Sequence, residues 1–280
     1  VVEIAPNILR RPVDRVVDAS GLVVAPGFID MMGQSEYHLL IDPRGMSKVM
    51  QGVTTELTCE GSSVAPLNER SSSKPRDYLR SFGEELDWTD LNGYFERLER
   101  SGIGLNLATL VGAGQLRAYV VGLEDRPATA AELAVMQRLA IAAMDEGAFG
   151  LSSALQYVPG SFADTAELVA LAQAVASRGG FYATHQRSEA DRLDSSLDEV
   201  LTIAREANIP TEIFHLKTAY PKNWGRMPKI LRRLADARAH GLDVTADVYP
   251  YTAASTSLSA CLPPWAQEGG TEKIMARLRD

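Results

Sequence analysis

Phe181-Tyr182-Ala183-Thr184-His185 and Thr211-Glu212-Ile213-Phe214-His215-Leu216-Lys217 decide how this chain is read. Each holds a short run with strand character, and each run is followed at once by a histidine. Between them, Leu197, Val200, Leu201, Ile203 and Ala204 recur at helical spacing. Strand, helix, strand is the repeating unit of a parallel α/β fold. In such folds ligands and chemistry collect at the carboxyl ends of the strands. The chain has only four histidines, and two of them hold equivalent places on successive strands. One such histidine is ordinarily structural; two in register point to a shared metal site.

The same alternation extends outward on both sides. Toward the N-terminus, Gly147 to Ser152 reads as a strand and Ala130 to Glu146 as the longest helix. Thr129 and Glu132 supply its capping box. A helix beginning at Asp164 and Glu167 runs through Leu168, Leu171 and Val175 to Gly179-Gly180. Earlier still, Phe28 to Met31, Val53 to Thr58 and Leu105 to Val111 read as strands, with helices over Pro43–Met50 and Leu91–Arg100. Ser62 to Asp87 reads as a long polar loop with a short helix near its end, and His38 as a loop residue. Toward the C-terminus a helix covers Pro228 to Ala239, with His240 in its last turn where a cation suits the helix dipole. Leu242 to Val248 is the last strand. Seven strands alternating with helices predict an incomplete (β/α)8 TIM-like barrel over residues 27–280. A doubly wound open sheet is the alternative. Val16-Val17 and Leu22-Val23-Val24, joined by a turn at Asp18 to Gly21, predict that residues 1–26 are the edge of a small β domain.

The 280 residues carry a net charge of −8, and without a basic block this argues against nucleic acid or an anionic membrane as partner. No apolar run is long enough to span a bilayer. Cys59 and Cys261 make neither a Cys-x-x-Cys pattern nor a disulfide framework, so the expected compartment is the cytoplasm, read without knowledge of what precedes Val1. The first residues read as a strand in progress and the last, Lys273 to Leu278, as a helix in progress. The chain is therefore expected to be a piece of a longer protein. Its expected partner is a small-molecule substrate, and its oligomeric state is left open.

A hydrolytic metal centre in a barrel needs ligands from several strand ends and one open position for water. His185 and His215 supply two. The end of the second strand offers Cys59 and Glu60, a thiolate and a carboxylate, either of which can ligate zinc. Cys59 reads equally as a small buried hydrophobe, and Glu60 as a solvated loop carboxylate.

Several motifs, in order, resemble a known family. Ala25-Pro26-Gly27-Phe28-Ile29-Asp30 resembles the start of the amidohydrolase barrel. Gly52-Val53-Thr54-Thr55, the run Tyr182 to Glu189, His215-Leu216-Lys217 and Asp243 to Tyr251 resemble the N-acyl-D-amino-acid deacylase (D-aminoacylase) branch. The resemblance extends from about Val16 to Trp265. It implies a zinc-dependent hydrolase of a linear amide, an N-acyl-D-amino acid or a related D-dipeptide, with His185 and His215 on the metal. It also implies Lys217, Tyr249 and Ser255 as substrate contacts. The other readings are a cyclic-amide hydrolase of the hydantoinase type and a metal-free barrel that binds a small ligand.

The sequence departs from that pattern in three places. Where the family's first strand continues into His-x-His, this chain has Met32 and Gln34, poor zinc ligands beside imidazole. That favours one zinc over two, with Gln34 left to hydrogen-bond water or a substrate amide. The family's metal-binding cysteine falls on Gly61, so Glu60 or Cys59 must take its place. The expected catalytic aspartate of the eighth strand lies beyond Asp280, and the 280 residues alone are expected to be inactive.

Overall fold

The computed structural model describes residues 5, 6, 8 and 15–279. Its strands are β1 (Phe28–Gly33), β2 (Val53–Thr58), β3 (Asn106–Thr109), β4 (Val111–Gly112), β5 (Gly150–Ala154), β6 (Phe181–His185), β7 (Thr211–Ile213) and β8 (Val244–Ala246). All pairings are parallel, β1-β2-β3 in one ladder and β4-β5-β6-β7-β8 in another. β3 and β4 are two parts of the single third strand expected from the sequence. The chain changes neighbour at Leu110, pairing first with β2 and then with β5. Parallel neighbours need a crossover, and helices supply it between most consecutive strands.

The distinction between an open sheet and a barrel follows from who touches whom. Leu57 of β2, Leu110, Ala183 of β6, Cys59 and Phe214 form one buried apolar cluster. In a flat sheet β2 and β6 stand three strand spacings apart, roughly 14 Å. Contact among them requires the sheet to curl, so this cluster is the interior of a barrel arc. A second, larger apolar layer lies between the strands and the helices, with Leu151 and Tyr182 meeting Leu168, Leu171 and Val175. Among the described residues β1 and β8 each keep one edge unpaired, and the exposed Phe28 and Ile29 lie on the β1 edge.

Several local expectations are corrected. Ser62 to Asp87 is not chiefly loop: Glu69–Arg80 is a twelve-residue helix. Asn68 and Ser71 close a reciprocal capping box at its start, which offsets the weak helix propensity of its serines. A helix not read from the sequence, Ala113–Val120, follows β4 and buries Leu116 and Arg117. Its Gly114 packs on the Gly61 carbonyl, where a Cβ would come within 2.7 Å. The helix expected over Pro43–Met50 shrinks to Met46–Val49, and His38 opens a one-turn helix, His38–Ile41, rather than lying in a loop. Val16-Val17 and Leu22-Val23-Val24 make no strand; they are exposed beside a turn at Ser20-Gly21. Alternation makes a strand only where it pairs with another edge, and these residues pair with none of the described strands. Among the described residues no helix is long and apolar enough to cross a membrane.

Candidate metal centre

The ends of β2, β6 and β7 converge. Glu60 follows β2 through a tight turn in which Cys59 has φ 89° and Gly61 φ 78°. A Cβ at Gly61 would come within 2.5 Å of the Ala154 nitrogen. The position matching the family's cysteine is therefore closed to a side chain, and the turn presents Glu60 instead. His185 ends β6. His215, two residues after β7, has φ 37°, and the Asp247 carboxylate accepts its backbone N–H. Left-handed backbone at a non-glycine residue costs about 1–3 kcal/mol and persists only where the surroundings hold it.

Glu60 Oε1 lies 2.7 Å from His185 Nδ1 and 2.9 Å from His215 Nε2. The two imidazoles stand nearly perpendicular, their centroids 4.5 Å apart. All three side chains offer a donor atom within 4.8 Å of the others. The second Glu60 oxygen, Oε2, accepts from Gln34 Nε2 at 2.7 Å. Met32 packs against the barrel-interior cluster, whereas Gln34, exposed one residue past β1, reaches Glu60. Cys59 turns its sulfur to Ser152 Oγ at 2.9 Å, and burial pushes its thiol up to about 12. A thiol so hard to ionise is a poor ligand, and Cys59 is outside the cluster that Glu60 forms with the histidines.

Glu189 was not singled out from the sequence. Its Oε1 lies 2.9 Å from His215 Nδ1, 3.9 Å from His185 Nε2 and 2.5 Å from Lys217 Nζ. The signal was present as a carboxylate four residues after His185. Lys217 also donates to the His215 carbonyl at 3.0 Å and lies 5.3 Å from the Tyr249 ring centroid. Tyr249 in turn meets His215 edge to face. Tyr157, likewise missed, lies edge-on to His185 and bonds Thr256. Ser255, next to Thr256, is exposed, and among the described residues no hydrogen bond joins it to this group.

Burial opposes charge here, but carboxylates on both sides outweigh it and hold His215 at about 9. Burial likewise opposes ionisation of Glu60, whose bonds from His185 and His215 win and hold it at about 2. His215 meets Glu60 through Nε2, while its Nδ1 lies 2.9 Å from both Lys217 Nζ and Glu189 Oε1. The ring nitrogens and the Glu60 oxygen converge on the place a cation would take. Two imidazoles, a carboxylate and a further buried carboxylate fit a zinc-type ion, with Glu189 orienting the His215 ring. The buried His185 Nε2 has no hydrogen-bond partner among the described residues.

One pH effect follows for the metal-free protein. The His215 pKa is raised from 6.5, so its contribution is complete below pH 6.5 and fades as pH rises through about 9. The Glu60 pKa is lowered from 4.5, so its contribution is complete above that pH and fades as pH falls through about 2. Both are fully present between pH 4.5 and 6.5. The melting temperature of chelator-treated protein should fall from pH 6.5 to 9, and this fall should vanish in His215→Phe. An equal fall in both proteins would contradict the ion-pair account.

Parallel barrel strands with imidazole and carboxylate groups gathered at their carboxyl ends form a site of the kind a hydrolytic metal centre uses. Comparison with known proteins narrows this. An N-acyl-D-glutamate deacylase of Alcaligenes xylosoxydans xylosoxydans is 36% identical over 255 residues, covering 90% of this chain and 51% of the relative. A D-aminoacylase of the same organism is 38% identical over 243 residues, covering 86% and 50%. The Bordetella bronchiseptica N-acyl-D-glutamate deacylase, solved with zinc and a phosphonate inhibitor mimicking the tetrahedral intermediate, matches with a TM-score of 0.75 at 36% identity. That match covers 84% of this chain and 49% of the other. No family model matches. Over most of its length the chain is similar to N-acyl-D-amino-acid deacylases (D-aminoacylases). It spans about half the length of the relatives it matches.

Proposed function

We propose that the protein is a metal-dependent hydrolase of a linear amide, an N-acyl-D-amino acid or a related D-dipeptide, with one zinc held by Glu60, His185 and His215. The observation that carries this is one carboxylate oxygen, Glu60 Oε1, within 2.9 Å of both strand-end imidazoles. A bound zinc would supply Lewis acidity, polarising the amide carbonyl and acidifying the attacking water. Lys217, fixed by Glu189 and the Tyr249 face, presents a cation to the carboxylate of the substrate's amino-acid part. Tyr157 and Tyr249 wall the histidines on two sides and limit water. Ser255 is read as a hydroxyl contact from the exposed segment beyond Tyr249. Proton transfer to the leaving nitrogen is assigned to an aspartate on the barrel strand that would follow β8, beyond Asp280, in a protein of the relatives' length.

A single zinc is favoured because Met32 and Gln34 stand where the family's first strand carries histidines. The D-aminoacylase of known structure is described with a binuclear centre showing one-metal activation and second-metal attenuation, so one metal is enough for that relative. Residues 27–280 are read as the barrel unit and 1–26 as the edge of a β domain. Two free cysteines, one of them exposed, suit the cytoplasm. The test is hydrolysis by the full-length protein, before and after chelation, of N-acyl-D-amino acids, D-dipeptides and hydantoins. Zinc-restored cleavage of the linear D-substrates is expected. Cleavage of hydantoins alone, or zinc-independent activity, would overturn the reading.

A further inference from the structure

We propose that Gln34 is a positioning residue: its side-chain amide holds one oxygen of Glu60 so that only the other faces His185 and His215. This rests on the metal reading above and concerns how the carboxylate is shaped for a single ion. The two Glu60 oxygens have separate partners, Oε1 with both imidazoles and Oε2 with Gln34 Nε2 at 2.7 Å. An ionised carboxylate only accepts hydrogen bonds, so the amide must present its NH2 group to it. A neutral donor fixes the direction of the carboxylate without drawing off its charge. Left without that donor, Oε2 is free to swing onto the same ion or to bind a second one.

The backbone carrying Gln34 is itself held in place. Gly33 lies on the fully buried Glu56, where a Cβ would meet the Glu56 side chain at 1.8 Å. On the other side of Gln34, the Ser35 N–H donates to Glu56 Oε1 at 3.1 Å. Met32 is occupied by the interior cluster, so β1 and the residue after it offer Glu60 the amide and no metal-binding side chain. The departure from His-x-His thus has a use: an amide stands where the family's strand carries a metal ligand, and it directs the carboxylate to one centre.

The test uses full-length protein loaded with zinc, and with cobalt(II) as a spectroscopic probe. Gln34→Leu removes the donor; Gln34→Glu keeps the shape but adds a second acceptor. Zinc affinity should fall about 10- to 100-fold in Gln34→Leu, the usual effect of losing a group that orients a ligand. The cobalt absorption spectrum should change with it as Glu60 turns. Gln34→Glu should raise the zinc stoichiometry from one to two per chain. If both variants keep wild-type affinity, one zinc and the wild-type cobalt spectrum, the positioning role is wrong while the metal reading stands. A wild-type protein that takes up no zinc overturns both.

Discussion

Full-length protein carrying His215→Ala should retain no zinc after dialysis and lose amide hydrolysis by roughly 10³-fold or more. Loss of metal activation forgoes several kcal/mol of transition-state stabilisation, and each 1.36 kcal/mol is tenfold in rate. His215 does two further things that the alanine would undo. Its ring is one of the two that share Glu60 Oε1, and its Nδ1 links Glu189 to the cluster. His240→Ala is the control. His240 caps the helix Met227–Ala239, its Nδ1 2.7 Å from the Asp236 carbonyl, away from the cluster. Zinc content and rate should be unchanged there. Zinc content by mass spectrometry and a single-turnover assay measure both. A His215→Ala protein with one tightly held zinc would contradict the assignment.

Glu167→Ala should destabilise the fold by about 3–5 kcal/mol, because it leaves a buried guanidinium without its counter-charge. Arg117 is fully buried in the helix Ala113–Val120. It meets Glu167 of the helix Thr165–Ala176 at 2.6 Å and also donates to the Arg126 carbonyl. Burial pushes the Glu167 carboxyl up despite the guanidinium beside it. The intact pair therefore adds little net stability, while either half alone is costly. The double variant Glu167→Leu with Arg117→Met should recover part of the loss, since both charges leave the interior together. Urea denaturation of the three proteins gives the values. A Glu167→Ala protein within 1 kcal/mol of wild type would show that the buried charge finds another partner.

The parts of this structure legible in the sequence are those where local pattern and tertiary contact agree. His185 and His215 follow apolar β runs at equal places, and the fold brings them together because neighbouring parallel strands end at one level. Glu60 was legible as a strand-exit carboxylate. The choice between it and Cys59 was not, because it depends on the turn made by two left-handed residues and on Ser152 from another strand. Glu189 was hidden because nothing in the irregular run from Gln186 to Arg192 indicates that the chain folds back on His215. The helix Glu69–Arg80 is obscured because serines and Pro75 weigh against helix, and only the Asn68 to Ser71 cap signals its start. Val16-Val17 and Leu22 to Val24 differ in the opposite sense: a strand-like pattern that pairs with none of the described strands. Closure of the sheet was also beyond alternation alone. It appears in the single buried cluster that gathers Leu57, Cys59, Leu110, Ala183 and Phe214.

The central claim is that two imidazoles and the Glu60 carboxylate, not the Cys59 thiolate, hold the metal. Zinc-edge X-ray absorption on the full-length, singly loaded protein tests it most directly. The account predicts a shell of nitrogen and oxygen at about 2.0–2.1 Å with scattering from two imidazole rings and no sulfur. A zinc–sulfur distance near about 2.3 Å, lost in Cys59→Ser, would place the thiolate on the metal and contradict the account.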